Sequence, residues 1–172
     1  MNIFEIADWN NSTSYKKNNI VKIGGTESYW YAALDHTGGD VPSTNNPNWV
    51  GQTVFGAGEP IPKFIWAPSY NVTTKVEAKT KEVQFGDGYK QIVNDGINNT
   101  LLELDFSFEG RDDREAGAIL HFLTTRAGGE TFAFTPPSPY SVEKKWKCKA
   151  WSSNQVFYDN HTIRATFIEV LI

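Results

Sequence analysis

The chain has 172 residues, 40% hydrophobic and 21% charged, with a formal net charge of -4 from 16 basic and 20 acidic side chains. That balance suits a folded chain and lacks the basic surplus that wrapping nucleic acid requires. The single cysteine, Cys148, excludes an internal disulfide framework and a cysteine-rich zinc site.

Residues 1–50 read as short strands divided by turns. Asn18-Asn19, Gly24-Gly25, Gly38-Gly39 and Asn45-Asn46-Pro47 supply left-handed or proline-fixed backbone. Ile20–Ile23 and Ser28–Leu34 are the strand candidates between them. Tyr29, Trp30 and Tyr31 are consecutive, so side-chain alternation is expected to send at least one aromatic outward. Residues 51–62, G-Q-T-V-F-G-A-G-E-P-I-P, have little side-chain volume and two prolines, and read as a linker.

Beyond it, Val72, Thr74, Val76 and Ala78 alternate with polar neighbours as in a half-buried strand. Phe85-Gly86-Asp87-Gly88-Tyr89 reads as a tight hairpin turn with an assembly role. No lysine-serine/threonine continuation or helix follows it, so it is not read as a phosphate loop. The polar stretch from Thr73 to Asn99 reads as a long hairpin arm, too polar to be core. In a tube-forming protein such an arm would reach a neighbouring subunit and add strands to its sheet. Leu102, Leu104, Phe106 and Phe108 line one face of a further strand.

A single helix is predicted over 112–127, capped by Asp112 with Glu115 and stopped by Gly128-Gly129. Ala116, Ile119, Leu120 and Leu123 form its apolar stripe, expected to lie on a sheet. Strands are predicted over 131–135, 145–151 and 162–171. In the last, Ile163, Ala165 and Phe167 face one way while Ile168, Val170 and Ile172 face the other, as in a strand buried on both sides or at a subunit contact. Cys148 alternates with Lys145, Lys147 and Lys149, placing the thiol inward and the lysines on a charged face.

No catalytic constellation is visible. His36, His121 and His161 are scattered, and Asp87, Asp95, Asp112, Asp113 and Glu115 suit turn and cap duties. The chain is therefore expected not to be an enzyme and to need no catalytic residue, metal or cofactor. It has no apolar run approaching the ~20 residues of a membrane-spanning helix, and M-N-I-F-E-I-A-D-W shows no basic leader, so synthesis in a cytoplasm and no membrane partner are expected.

Across residues 60–172, one ordered motif series resembles the minor tail protein M family of long-tailed bacteriophages. It comprises Phe64-x-Trp66-x-Pro68-Ser69, Phe85-Gly-Asp-Gly-Tyr89-x-Gln91, Asp95-Gly-Ile-Asn98 and Phe122-Leu123 with Gly128-Gly129. Phe132-x-Phe134-Thr-Pro-Pro137, Trp146-x-Cys148-x-x-Trp151 and Ala165-x-Phe167-x-Glu169-Val170 complete it. The resemblance implies a mainly β, tail-tube-like β-sandwich or split barrel over 63–172 with one flanking α-helix. It further implies a homo-oligomeric, six-fold ring at the tail tip that extends the tail tube and contacts the tube protein and tail-tip hub proteins. Double-stranded DNA would then be only a passing cargo, which acidic lumen residues would repel. The implied location is the virion tail tip, after assembly in the host bacterial cytoplasm.

Residues 1–50 are similar to the small chitin- or cellulose-binding modules of bacterial glycosidases. Trp9, Tyr15, Val21, Gly25, Tyr29-Trp30-Tyr31-Ala32, Pro42 and Trp49 carry that pattern, with Ala33-Leu-Asp-His36 where sugar-binding members carry extra aromatics. The likeness implies a small all-β carbohydrate-binding-like module that projects outside the ring. Trp30, Trp49 and Tyr29 are its candidate sugar contacts and a host surface glycan its candidate partner. A carbohydrate-binding protein recognising cell-surface polysaccharide is the alternative function.

Overall fold

The structure is a computed structural model. It describes residues 5–24, 28–54, 60–69, 72–78, 80–84, 86, 89–94, 100–126 and 129–170. The expectations for Gly25, Phe85, Asp87, Gly88, 95–98, Gly128 and Ile172 fall outside the described residues.

Three short strands open the chain: β1 (Ile20–Lys22), β2 (Tyr29–Ala32) and β3 (Trp49–Val50), paired in the order β1-β2-β3. Turn chemistry holds them close. A Cβ on Gly38 would stand 1.8 Å from the Asn11 carbonyl oxygen, and one on Gly51 would stand 2.8 Å from the Trp30 ring, so neither site has room for a larger residue. Tyr15, Val21, Trp30, Ala32 and Trp49 form a small core on one side of this sheet. The stretch expected as a linker carries strand pairing instead: β4 (Gln52–Val54) runs antiparallel to β5 (Pro60–Pro62).

The main sheet is built from β6 (Thr73–Ala78), β9 (Thr100–Arg111), β10 (Phe132–Phe134), β11 (Lys144–Phe157) and β12 (Asn160–Val170). Its strand order is β10-β11-β12-β9-β6, and every pairing is antiparallel. Between β6 and β9 the chain forms a separate hairpin, β7 (Thr80–Gln84) with β8 (Lys90–Asn94). The alternation in β9 buries Leu102, Leu104, Phe106 and Phe108, as their spacing predicts. Across the sheet Leu104 lies opposite Phe167 and Phe167 opposite Cys148, so the buried thiol belongs to the apolar face. Burial raises the Cys148 pKa to about 11, which leaves the thiol protonated and unreactive near neutrality.

The helix α1 (Asp113–Arg126) covers that face. Asp112 Oδ1 accepts a 2.7 Å hydrogen bond from the Glu115 backbone N–H, the predicted cap. The reciprocal half of the box is absent, because Glu115 turns to Arg111 at 2.8 Å instead. The positive-φ residue Asp159, in the turn between β11 and β12, supplies the second cap by accepting from the Asp113 N–H at 2.7 Å. Asp112→Ala should cost about 1 kcal/mol in a chemical denaturation series, since it removes one satisfied orphan donor. Of the predicted stripe, Ala116, Ile119 and Leu123 are buried and Leu120 is half-buried, and Ala118, His121 and Phe122 join them.

Residues 5–54 are seated on this domain. Tyr31 is fully buried in the main core, with its ring 5.1 Å from Trp66 and 5.8 Å from Phe122. Asn18 takes a left-handed φ of 67°, which its short polar side chain tolerates, and its Oδ1 accepts from Trp66 Nε1 at 3.0 Å. Asn18→Ala should cost roughly 1–3 kcal/mol by leaving the buried indole N–H unpartnered. Asn18→Gly relaxes the backbone and isolates the lost hydrogen bond, so comparing the two melting curves separates the contributions.

Candidate assembly surfaces

The aromatic run of β2 is sorted by strand alternation into two cores. Trp30 points into the small core, where it is 8% exposed. Tyr29 and Tyr31 point the other way, against α1: the Tyr29 ring meets His121 edge-on at 4.6 Å, and the Tyr31 hydroxyl lies in a 3.0 Å hydrogen bond with His121 Nδ1. The outward direction expected from the sequence is thus the docking face, and Tyr29 is half-buried by it. Trp49 is 3% exposed, donates from Nε1 to the Asp40 carbonyl at 2.8 Å, and is flanked by the Tyr15 and His36 rings. Neither Trp30 nor Trp49 presents an open ring face for stacking.

The docked surface is polar as well as aromatic. Burial lowers the His121 pKa to about 4, and nearby Arg126 adds to the shift. Burial raises the Tyr31 pKa to about 12, against an opposing pull from Arg126. The Arg126 guanidinium lies 3.8 Å over the Phe122 ring, and its Nη1 donates to the Phe122 carbonyl at 3.0 Å. The Tyr31–His121 contact, between residues ninety apart in sequence, carries no local motif.

The main sheet has two open borders among the described residues. β6 pairs with β9 on one side and with no described strand on the other. β10 covers β11 only from Lys144 to Trp146, so the far side of β11 from Lys147 to Phe157 has no described strand beside it. The rest of the β9 border is closed by 67–69: Ser69 N–H donates to Ser107 O at 2.7 Å, and Arg111 Nη2 donates to Ala67 O at 2.7 Å.

Of the predicted turn residues, Gly86 and Tyr89 are described, and Tyr89 is exposed. The hairpin they join leaves Val83 and Ile92 exposed and, among the described residues, makes its main strand contact within itself. The sheet face opposite α1 is of mixed sign. Lys75 holds Asp105 at 2.7 Å and Glu103 at 3.5 Å, Lys149 reaches Glu103 at 3.6 Å, and Lys147 and Arg164 are exposed beside them. Lys75 and Thr166, by hydrogen bonds to its carboxylate, hold the Asp105 pKa below the ordinary value.

Sequence reasoning passed over the far end of the β11–β12 hairpin. Val156 and Phe157, with Tyr158 at 87% exposure, form an apolar tip fixed to the start of α1 by Asp159 and by the His161–Asp113 pair. The turn signal Asp159-Asn160 beside three apolar residues could have marked it. Among the described residues, no group of three His, Cys, Asp or Glu side chains could hold a metal, and no helix is long and apolar enough to cross a membrane.

The family model for phage minor tail protein matches residues 62–171. The chain belongs to this family. Tail tip protein M of Escherichia phage N15 is 32% identical over 89 residues, 51% of this chain and 74% of that protein. Tail tip protein M of Escherichia phage lambda is 31% identical over 91 residues, 52% of this chain and 81% of that protein. A solved structure of the tail of an empty gene transfer agent particle, of C6 symmetry, aligns at 13% identity with a TM-score of 0.43, over 70% of this chain and 90% of that one. The family match begins after the three-stranded sheet.

Proposed function

We propose that copies of this chain form a closed ring at the tail tip of a long-tailed bacteriophage, continuing the tail tube toward the tail-tip hub. The carrying observation is a family domain whose main sheet keeps a border open at each end, β6 on one side and the far half of β11 on the other. Two different open borders on one protomer support head-to-tail pairing, the heterologous contact that closes into a ring when the rotation permits. Pairing also hides edge backbone that would otherwise aggregate. The β7–β8 hairpin would rest on the adjoining subunit, and DNA would pass through the opening as cargo. Residues 5–54 would sit on the α1 side as a fixed part of each protomer.

Sedimentation of the purified chain over a concentration series, followed by electron microscopy, tests the reading. A discrete closed oligomer, six-fold by expectation, supports it. A species that remains monomeric at high concentration and does not enter tails sinks it. Burial of Trp30 and Trp49 gives the glycan-binding alternative no supporting observation.

A further inference from the structure

A groove of about 320 Å³ runs between 63–68 and 134–137, walled by Lys63, Ile65, Pro68 and Pro137 over the largely buried rings of Phe64, Trp66 and Phe134. A second cleft of about 400 Å³ adjoins it at the same Lys63 and extends onto Asn45, Asn46 and Trp49, at and just before β3. No other part of the protomer is described in this groove, while the tip of the β11–β12 hairpin leaves Val156, Phe157 and Tyr158 in solvent.

We propose that the Phe157–Tyr158 tip of one copy seats in the Lys63–Pro68/Phe134–Pro137 groove of the next copy. This rests on the ring reading and names a side-chain contact that sheet pairing does not require. Two observations select a second copy as the occupant. The first is continuity: Ala67 and Pro68 in the groove wall lead into Ser69, which borders β9 beside β6. An adjoining copy that pairs the open far half of its β11 antiparallel to β6 thus brings its tip to that end of the groove. The second is charge: Asp112, Asp159 and the His161-paired Asp113 stand beside the tip, whereas Lys63 stands at the groove and Lys144 and Lys145 lie opposite Phe134 and Ala133 in the adjoining strand pair. Glu143 and Glu169 partly offset those lysines. Aromatic anchors in desolvated pockets dominate the energetics of such contacts, and the flanking charges set orientation and approach.

The test compares full-length wild type with Phe157→Ser/Tyr158→Ser, and separately with Pro137→Asp on the groove side, by sedimentation. Each variant should need at least about tenfold more protein to assemble, with an unchanged protomer melting temperature because the altered positions are exposed. A chain carrying Tyr158→Cys and Pro137→Cys should give inter-copy disulfide ladders on oxidation, whatever the stability of the first variants. Rings that form normally in both variants and give no ladder overturn this contact and leave the ring reading standing. That outcome is also the one expected if the tip meets a different tail protein. A wild type that never assembles removes both.

Discussion

Phe64→Ala should lower the unfolding free energy by about 3–5 kcal/mol, and thermal unfolding should begin on the order of 10 °C earlier. Phe64 is 2% exposed and its ring centroid lies 5.0–5.9 Å from those of Trp66, Phe108, Phe122, Phe132, Phe134 and Phe167. These six partners come from the 63–69 segment, β9, α1, β10 and β12. Removing the ring leaves a void that no single element can close by shifting, because the contacts converge from every side of the core. Most of the arrangements are edge-to-face, which adds about 0.5–1.5 kcal/mol per pair beyond area burial in favourable cases. Val76→Ala on the exposed border strand is the control and should change stability by no more than about 0.5 kcal/mol. A Phe64→Ala melting curve that overlays wild type would contradict this account of the core.

The second large effect is a loss of stability in acid. His121 is fully buried against Tyr29, Tyr31 and Arg126, and its pKa falls from 6.5 to about 4. Above pH 6.5 the side chain is neutral in both the folded and unfolded states and contributes no pH dependence. Between 6.5 and 4 the unfolded chain takes up a proton that the folded chain refuses, so stability falls as the pH is lowered. At about 1.4 kcal/mol per pH unit, the full loss is roughly 3 kcal/mol. Charging the ring beside Arg126 also strains the contact that seats residues 5–54 on α1. His121→Gln keeps a hydrogen-bonding side chain near Tyr31 and removes the titration, so this part of the acid loss should disappear. If urea midpoints of wild type and His121→Gln decline in parallel from pH 6.5 to 4, His121 is not the group responsible. Tyr31 predicts the opposite limb: with its pKa at about 12 against an ordinary 10, stability should fall as the pH rises through that interval, and Tyr31→Phe should abolish the fall.

Much of the main sheet was legible from periodicity. The even-numbered apolar residues of β9, the inward Ile163, Ala165 and Phe167 of β12, and the Asp112 cap all occupy their expected places. The hairpin across the Gly86 turn pairs Val83 with Gln91, as the two runs of strand residues predict. The expected linker was not legible as strands, because Gly and Pro signals describe local backbone freedom while β4–β5 depends on a partner across the turn. Of the candidate sites, the sugar contacts were named from aromatic spacing, which marks a ring's position along the strand but not what lies over each face. Trp30 and Tyr31 are neighbours in sequence, yet one enters the small core and the other the main core.

Period, cap and turn chemistry act over a few residues, and for that reason the sequence by itself determined a mainly β chain with one amphipathic helix and the order of its elements. Its ordered motif series also carried the family, because such a series needs no geometry to be recognised. Only the tertiary structure decided that residues 5–54 dock on α1, that two sheet borders are open among the described residues, and that Phe157 and Tyr158 stand in solvent. Each of these depends on contacts between residues tens of positions apart, such as Tyr31 with His121 and Asn18 with Trp66, and such pairs leave no periodic trace in a single chain.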